Sequence, residues 1–118
     1  MQYLLLIIEP RGQRAERTEQ EGREAYARMV HFGEELQGRG LLRAAESLRS
    51  DHAGVRVSVR DGKRLLRDGP FTEAKEMVGG FFLIDCDSRE QAVAIAAECP
   101  AAAWATVEVR ELAPCHAG

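Results

Sequence analysis

Two continuous apolar runs and two alternating runs divide the chain into predicted strands. Tyr3–Ile8 and Phe81–Ile84 are apolar throughout, a pattern typical of strands that are covered on both faces. Val55–Arg60 and Thr106–Arg110 alternate apolar and polar residues, which predicts half-buried strands with one face in water. We therefore expect the continuous runs in the middle of one sheet and the alternating runs at its edges.

Helical spacing predicts two helices between these strands. Apolar residues recur every three or four positions from about Arg17 to Arg39, where glycines then end the helix. A second helix, Arg89–Cys99, follows a capping box of Ser88 and Gln91 and stops at Pro100. The apolar positions of the first helix are Tyr26, Met29, Gly33 and Leu36.

The order of elements predicts an α+β fold. Asp61-Gly62 separates Val55–Arg60 from Lys63–Arg67 and favours a type I′ hairpin, in which both central residues have positive φ. Strand, helix, strand, hairpin, then strand, helix, strand is the ferredoxin-like split βαβ order with an inserted β-hairpin. We expect one domain over residues 1–118, with a frayed tail at 114–118.

Two helices can cover only one face of such a sheet, although both central strands are apolar on both faces. Each large apolar side chain left in water loses roughly 1.5–3 kcal/mol of burial. A second copy packed across a two-fold axis would cover the open face. We therefore predict a homodimer, with a cleft between sheet and helices in each subunit.

Net charge, hydropathy and cysteine content limit the kinds of partner, cellular location and bound group expected for this protein. A net charge of −3 gives no electrostatic reason to bind nucleic acid. The apolar start of the chain is shorter than the roughly 20 residues that span a bilayer, so no membrane association is expected. Three widely spaced cysteines suggest a reducing, cytoplasmic location rather than a disulfide framework. No cofactor motif is present, and the three histidines lack the spacing of metal ligands, so we predict neither cofactor nor metal.

The segment from Asp68 to Gly80 is the first candidate site. Asp68 precedes Gly69-Pro70, a bend in which an aspartate commonly accepts backbone N–H bonds. The functional alternative is that Asp68 acts as a general acid or base in a partly apolar setting. Both roles are compatible.

Charged and apolar residues after the bend form a candidate substrate-binding set. Phe71 is expected to anchor the loop to the core, and Gly79-Gly80 would allow a backbone or ligand to approach closely. The charged members are Glu73, Lys75 and Glu76. A solvated charged loop is the alternative.

The first helix adds two candidates. His31 is either a partly buried helix histidine or a proton carrier facing the cleft, and we pair it with Asp68 as a candidate catalytic residue. Tyr26 is expected on the apolar face, in the core, with its hydroxyl at the cleft rim as a substrate contact.

The run Asp68-Gly69-Pro70-Phe71, continued by Glu73, Lys75-Glu76 and Gly79-Gly80, resembles the DGPF-domain branch of the YCII-related family. The resemblance covers essentially the whole chain. It implies a bacterial protein with a dimeric ferredoxin-like fold of the α/β barrel type and an active site near the Asp68 loop. It also implies a link to extracytoplasmic-function sigma factors for some members.

The residues and the family resemblance together suggest two alternative functions. The first is a cofactor-independent small-molecule enzyme or binder that transfers a proton through Asp68 in isomerisation or elimination, with a small cyclic or carbonyl-bearing ligand. The alternative is a non-enzymatic accessory module that presents Phe71 or Lys75 to a regulatory protein such as a sigma factor. The orientation of the Asp68 carboxylate, into a pocket or away from one, separates them.

Overall fold

The computed structural model describes residues 1–118 as six strands, three α-helices and three short 3₁₀ turns. The strands are β1 (Gln2–Pro10), β2 (Leu42–Ser47), β3 (Val55–Arg60), β4 (Lys63–Asp68), β5 (Glu76–Asp85) and β6 (Thr106–Glu111). The helices are α1 (Gln13–Glu16), α2 (Glu19–Gly38) and α3 (Arg89–Glu98). The 3₁₀ turns are Asp51–Ala53, Pro100–Ala103 and Cys115–Ala117, the last within the exposed tail.

Four strands form an antiparallel sheet in the order β2-β5-β1-β6. The two longest strands, β1 and β5, occupy the centre, as their continuous apolarity predicted. With α2 after β1 and α3 after β5, this mixed α+β arrangement is consistent with the ferredoxin-like order. The predicted α+β class is therefore confirmed, whereas the dimeric barrel-type assembly stays a prediction.

The core lies between the sheet and the helices. Tyr3, Leu5 and Ile7 alternate along β1 toward the helices and are buried. Phe32 of α2 meets Phe82 of β5 edge to face, with ring centroids 5.1 Å apart. Such a pair adds about 0.5–1.5 kcal/mol to the burial of its area.

The opposite face of the sheet carries an apolar stripe with no helix over it. Strand alternation and register place six partly or largely exposed side chains on this face: Leu4, Leu6, Ile8, Val78, Phe81 and Leu83. We call this set the apolar stripe. Its composition explains why both central strands read as continuously apolar.

The prediction that Val55–Arg60 forms the second edge of the main sheet is wrong. That edge is β2, which pairs with β5, whereas β3 pairs only with β4 in a separate two-stranded sheet. β2 lacks clean alternation because a β-bulge shifts its register between Leu42 and Ala44. Pattern alone therefore favoured the more regular segment.

The β3–β4 hairpin has the predicted turn but not the predicted burial. Asp61 and Gly62 have φ of 52° and 74°, as a type I′ turn requires. The expected half-buried valines are instead 52–59% exposed: Val55, Val57 and Val59. The hairpin is an arm outside the main sheet, so its apolar face meets no core in this chain.

The helix boundaries follow the predicted signals closely. Thr18 and Glu21 form a reciprocal capping box at the start of α2, and Gly40, with φ of 73°, follows its end. At the start of α3, Ser88 accepts a hydrogen bond from the Gln91 amide, as predicted. The Gln91 side chain accepts its hydrogen bond from the Asp87 amide instead of from Ser88, so the reciprocal half of the predicted capping box is not formed. None of the helices has both the length and the hydropathy needed to cross a membrane.

Candidate functional site

A cavity of about 750 Å³ lies between α2 and the helix-facing side of the sheet. This size falls within the roughly 300–1,000 Å³ typical of small-molecule sites. Its apolar walls include Ile7, Met29 and Phe82. Its polar and aromatic lining includes Glu9, Arg14, Arg17, Glu19, Tyr26, Glu34, Glu46 and Trp104.

Glu9 is the buried charged residue of this cavity. It follows Tyr3, Leu5 and Ile7 on the helix-facing side of β1, and its side chain is 10% exposed. Glu9 Oε1 accepts a hydrogen bond from Arg14 Nε at 2.6 Å. The chain turns at Gly12, whose φ of 87° favours glycine, and α1 then carries Arg14 back over Glu9. The result is a charge-assisted pair at the cavity wall.

The second carboxylate oxygen of Glu9 has no hydrogen-bond partner. Oε1 takes the only hydrogen bond of this side chain, and no buried side-chain oxygen in the protein is left unsatisfied. Oε2 is therefore accessible from the cavity. Gly79 of β5 makes room for it, because a Cβ at Gly79 would overlap Oε2 and lie 2.7 Å from Glu9 Cδ. A carboxylate oxygen in this position can accept a proton or a hydrogen bond from a bound molecule.

Arg17 and Trp104 form another part of the cavity lining. The Arg17 guanidinium lies 5.6 Å from the Trp104 ring centroid, and Arg28 lies 5.0 Å from it. Gln13 Nε2 donates to the Trp104 carbonyl at 2.6 Å and fixes the backbone there. Arg17 has no carboxylate within ion-pair distance, so its charge is available to a ligand.

Comparison with known proteins identifies the family. The model of the YCII-related domain matches residues 1–116. The chain belongs to the YCII-related family. An uncharacterized protein of Rhizobium meliloti (strain 1021) is 44% identical over 54 residues, a match that spans 44% of this chain and 44% of that protein.

The predicted catalytic residues of this YCII-related protein lie outside the cavity lining. Asp68 ends β4 and is exposed. Its carboxylate accepts no hydrogen bond, although an aspartate before such a bend was expected to accept backbone N–H bonds. His31 lies on the outer surface of α2, where its Nε2 is 3.0 Å from Glu35 Oε1. Tyr26 does line the cavity, but its predicted core position is wrong, since it is 60% exposed. Asp68 and His31 are not brought together with Glu9.

Phe71 is buried in the Asp68 segment, although outside the main core cluster. Arg56 lies over its ring at 3.9 Å from the centroid, and Arg67 lies at 5.4 Å. Glu73 ties the two arginines together, with Arg67 Nη2 at 2.6 Å and Arg56 Nη1 at 3.4 Å. Phe71 therefore fixes the segment to the base of the hairpin arm.

The remaining predicted contacts, Lys75 and Glu76, are exposed, and Glu76 begins β5. An accessory module was expected to present Phe71 or Lys75 outward, and of these two only Lys75 is exposed.

Asp51 connects the Asp68 segment to the end of β1. Arg11 binds both Asp51 carboxylate oxygens and also donates to the Ala74 carbonyl at 2.7 Å, while the Phe71 amide donates to Asp51 Oδ2 at 3.3 Å. The hydrogen bond from Arg11 and that from the Phe71 amide hold the pKa of Asp51 down to about 2. Gly69 lies directly against the Asp51 carbonyl, where any Cβ would overlap it.

The pKa of Glu73 is likewise lowered to about 2, chiefly by its hydrogen bond with Arg67. Together, Arg11, Asp51, Phe71 and Glu73 form what we call the latch, which joins β1, the segment and the arm. The latch gives Phe71 and Glu73 of the segment a structural role.

Sequence reasoning missed Glu9, Arg14, Arg17 and Trp104. One signal was available for Glu9, because it continues the odd-numbered positions that face the core along β1. A carboxylate at such a position needs a partner, here Arg14. No comparable signal existed for Arg17 or Trp104, which meet only through tertiary packing. No group of three or more His, Cys, Asp and Glu side chains is placed to hold a metal ion.

Proposed function

We propose that this protein binds a small molecule in the α2–sheet cavity and transfers a proton through Glu9, without a cofactor. One observation carries the proposal: a nearly buried carboxylate has one oxygen paired with Arg14 and the other open to the cavity. Pairing of the first oxygen fixes the orientation of the second, which is the arrangement a general base needs.

The chemistry follows from the neighbouring groups. Glu9 Oε2 would take a proton from a carbon or oxygen of the ligand, and the electron pair left behind would move toward an adjacent carbonyl or expel a leaving group. Returning the proton at another carbon completes an isomerisation, whereas loss of the leaving group completes an elimination. Arg17, which has no carboxylate partner, would stabilise the developing negative charge. Tyr26 lines the same cavity.

The experiment begins with a ligand screen by thermal shift, using small cyclic ketones, lactones and phenols as probes. A probe present at 100 times its Kd stabilises the folded state by about 2.7 kcal/mol. For a domain of this size, that raises Tm by about 11 °C. Each hit is then incubated in D₂O, and exchange of its acidic C–H for deuterium is followed by proton NMR.

Variants assign the proton carrier. We expect Glu9→Gln to retain binding and to slow exchange by about 10²–10⁴-fold, the usual contribution of a general base. Asp68→Asn and His31→Gln test the two residues predicted from the sequence. Loss of exchange in Asp68→Asn with exchange retained in Glu9→Gln would move the site to the Asp68 segment. Absence of any hit would leave the accessory module as the better hypothesis.

The family branch, the cellular location and the oligomeric state are proposals as well. We propose the DGPF branch on the residues Asp68-Gly69-Pro70-Phe71, and a reducing, cytoplasmic location on the three unpaired cysteines. We also propose a homodimer in which the apolar stripes of two copies face each other, because burying these side chains is worth roughly 25 cal/mol per Å² of apolar area. Its test is the oligomeric state described below.

A further inference from the structure

The arm, residues 55–68, extends away from a thin molecule. The chain measures 47 × 42 × 19 Å and has a radius of gyration of 16.1 Å, against about 13.5 Å for a compact chain of this length. One face of the arm presents four apolar side chains that are 52–60% exposed: Val55, Val57, Val59 and Leu66. An isolated two-stranded hairpin is marginally stable in water, so this face needs a partner.

Charge indicates which surface that partner presents. Residues 55–68 hold five of the 16 basic and two of the 19 acidic residues, a formal charge of +3. The rest of the chain, with 11 basic and 17 acidic residues, carries −6. Arg56 and Arg67 pair with Glu73 at the base of the arm, whereas Arg60, Lys63 and Arg64 near its tip have no carboxylate partner. The arm is thus complementary in charge to the body of the same protein.

We propose that the arm packs against the body of a second copy of this chain, next to its apolar stripe, in a reciprocal exchange across a two-fold axis. The inference rests on the homodimer proposed above and adds the element that extends its interface. Arm and stripe are both apolar and both uncovered within one chain, and the positive arm is opposite in charge to the body that carries the stripe. One symmetric contact between two copies therefore covers both surfaces. A standard interface needs about 800 Å² from each partner, and the arm enlarges what the stripe alone offers.

The test measures the mass in solution by sedimentation velocity over a concentration series, at low and high salt. The wild type is expected to sediment at about twice 13.1 kDa at high concentration and to dissociate more readily in salt. Val57→Glu and Leu66→Glu, which face each other across the arm, are expected to raise the dimer dissociation constant by about 30-fold or more. Val93→Glu is the matched control, since Val93 is also exposed but lies on α3, on the opposite side of the sheet from the stripe.

Two further measurements distinguish the contact made by the arm from the contact made by the apolar stripe. Leu6→Glu tests the stripe without touching the arm. Hydrogen exchange of residues 55–68 tests the arm without any substitution, and these amides should exchange more slowly in the dimer than at dilutions that give monomer.

A dimer that Leu6→Glu dissociates, but that the arm variants leave intact with concentration-independent exchange, would overturn the arm contact and retain the face-to-face dimer. A wild type that is monomeric throughout would overturn both.

Discussion

Gly79 and Gly80 are adjacent in β5, yet adding one methyl group to each should have opposite consequences. A Cβ at Gly79 would overlap Glu9 Oε2, lie 2.7 Å from Glu9 Cδ and 3.1 Å from Arg14 Nη2. These atoms belong to the far ends of side chains and can move. A Cβ at Gly80 would lie 2.8 Å from the Glu46 carbonyl oxygen and 3.3 Å from Ser47 Cα. These atoms are the backbone of β2 and cannot move without disturbing the sheet.

The expected change in stability depends on which atoms must move to make room for the new methyl group. Overpacking against fixed backbone costs about 1–3 kcal/mol, so Gly80→Ala should lower Tm by about 4–12 °C. Turning the Glu9 carboxylate off its preferred rotamer costs about 0.5–1.5 kcal/mol. Gly79→Ala recovers about 0.4–1 kcal/mol because alanine restricts the unfolded chain. We therefore expect the Tm of Gly79→Ala to stay within about 4 °C of the wild type.

The assay pairs calorimetry with the ligand and deuterium-exchange measurements proposed above. Gly79→Ala should fold normally but lose the response that depends on Glu9, because its carboxylate is displaced. Gly80→Ala should be less stable but respond to ligand below its Tm. Equal destabilisation by the two substitutions, or a wild-type exchange rate in Gly79→Ala, would refute the role assigned to the Glu9 geometry.

Two further predictions concern the latch and the helix. Because the folded-state pKa of Asp51 is lowered to about 2, its contribution to stability is complete above its ordinary pKa near 4 and is lost as pH falls from about 4 to 2. Urea unfolding at pH 7 and pH 2.5 should show Asp51→Asn losing less stability on acidification than the wild type, with Asp87→Asn as a control, and equal losses would contradict the latch. Thr18→Ala removes the N-cap of α2 and should lower the free energy of unfolding by about 1 kcal/mol, or Tm by about 4 °C. Thr18→Ser keeps a hydroxyl at the N-cap and should retain most of the stability. A Tm unchanged in Thr18→Ala would show that the cap contributes little.

The latch changes how the Asp68 segment is interpreted. Its combination of Gly, Pro, Phe and charged residues reads as a site, but the structure uses Phe71 and Glu73 to hold the arm and the end of β1. Arg11 of this latch is two residues from Glu9, so the segment also steadies the strand end that carries the candidate carboxylate. Asp68 itself is exposed, and the exchange assay decides whether it has a chemical role.

Local patterns determined most of the secondary structure. The two central strands, the capped helices and the Asp61-Gly62 turn were all predictable, because apolar periodicity, capping and positive φ depend on residues close together in sequence. The same patterns predicted that one face of the sheet would remain apolar.

Tertiary structure alone decided the rest. β2 became the edge strand although Val55–Arg60 had the more regular alternation, because pairing with β5 depends on a partner more than thirty residues away along the chain. The cavity joins Glu9, Arg14, Arg17 and Trp104 from separate elements, and their proximity is a property of packing rather than of spacing. The tertiary packing likewise buries Phe71, whereas Asp68 and His31 are exposed to solvent. Long-range packing thus set which of the charged residues meet, and no local pattern carries that information.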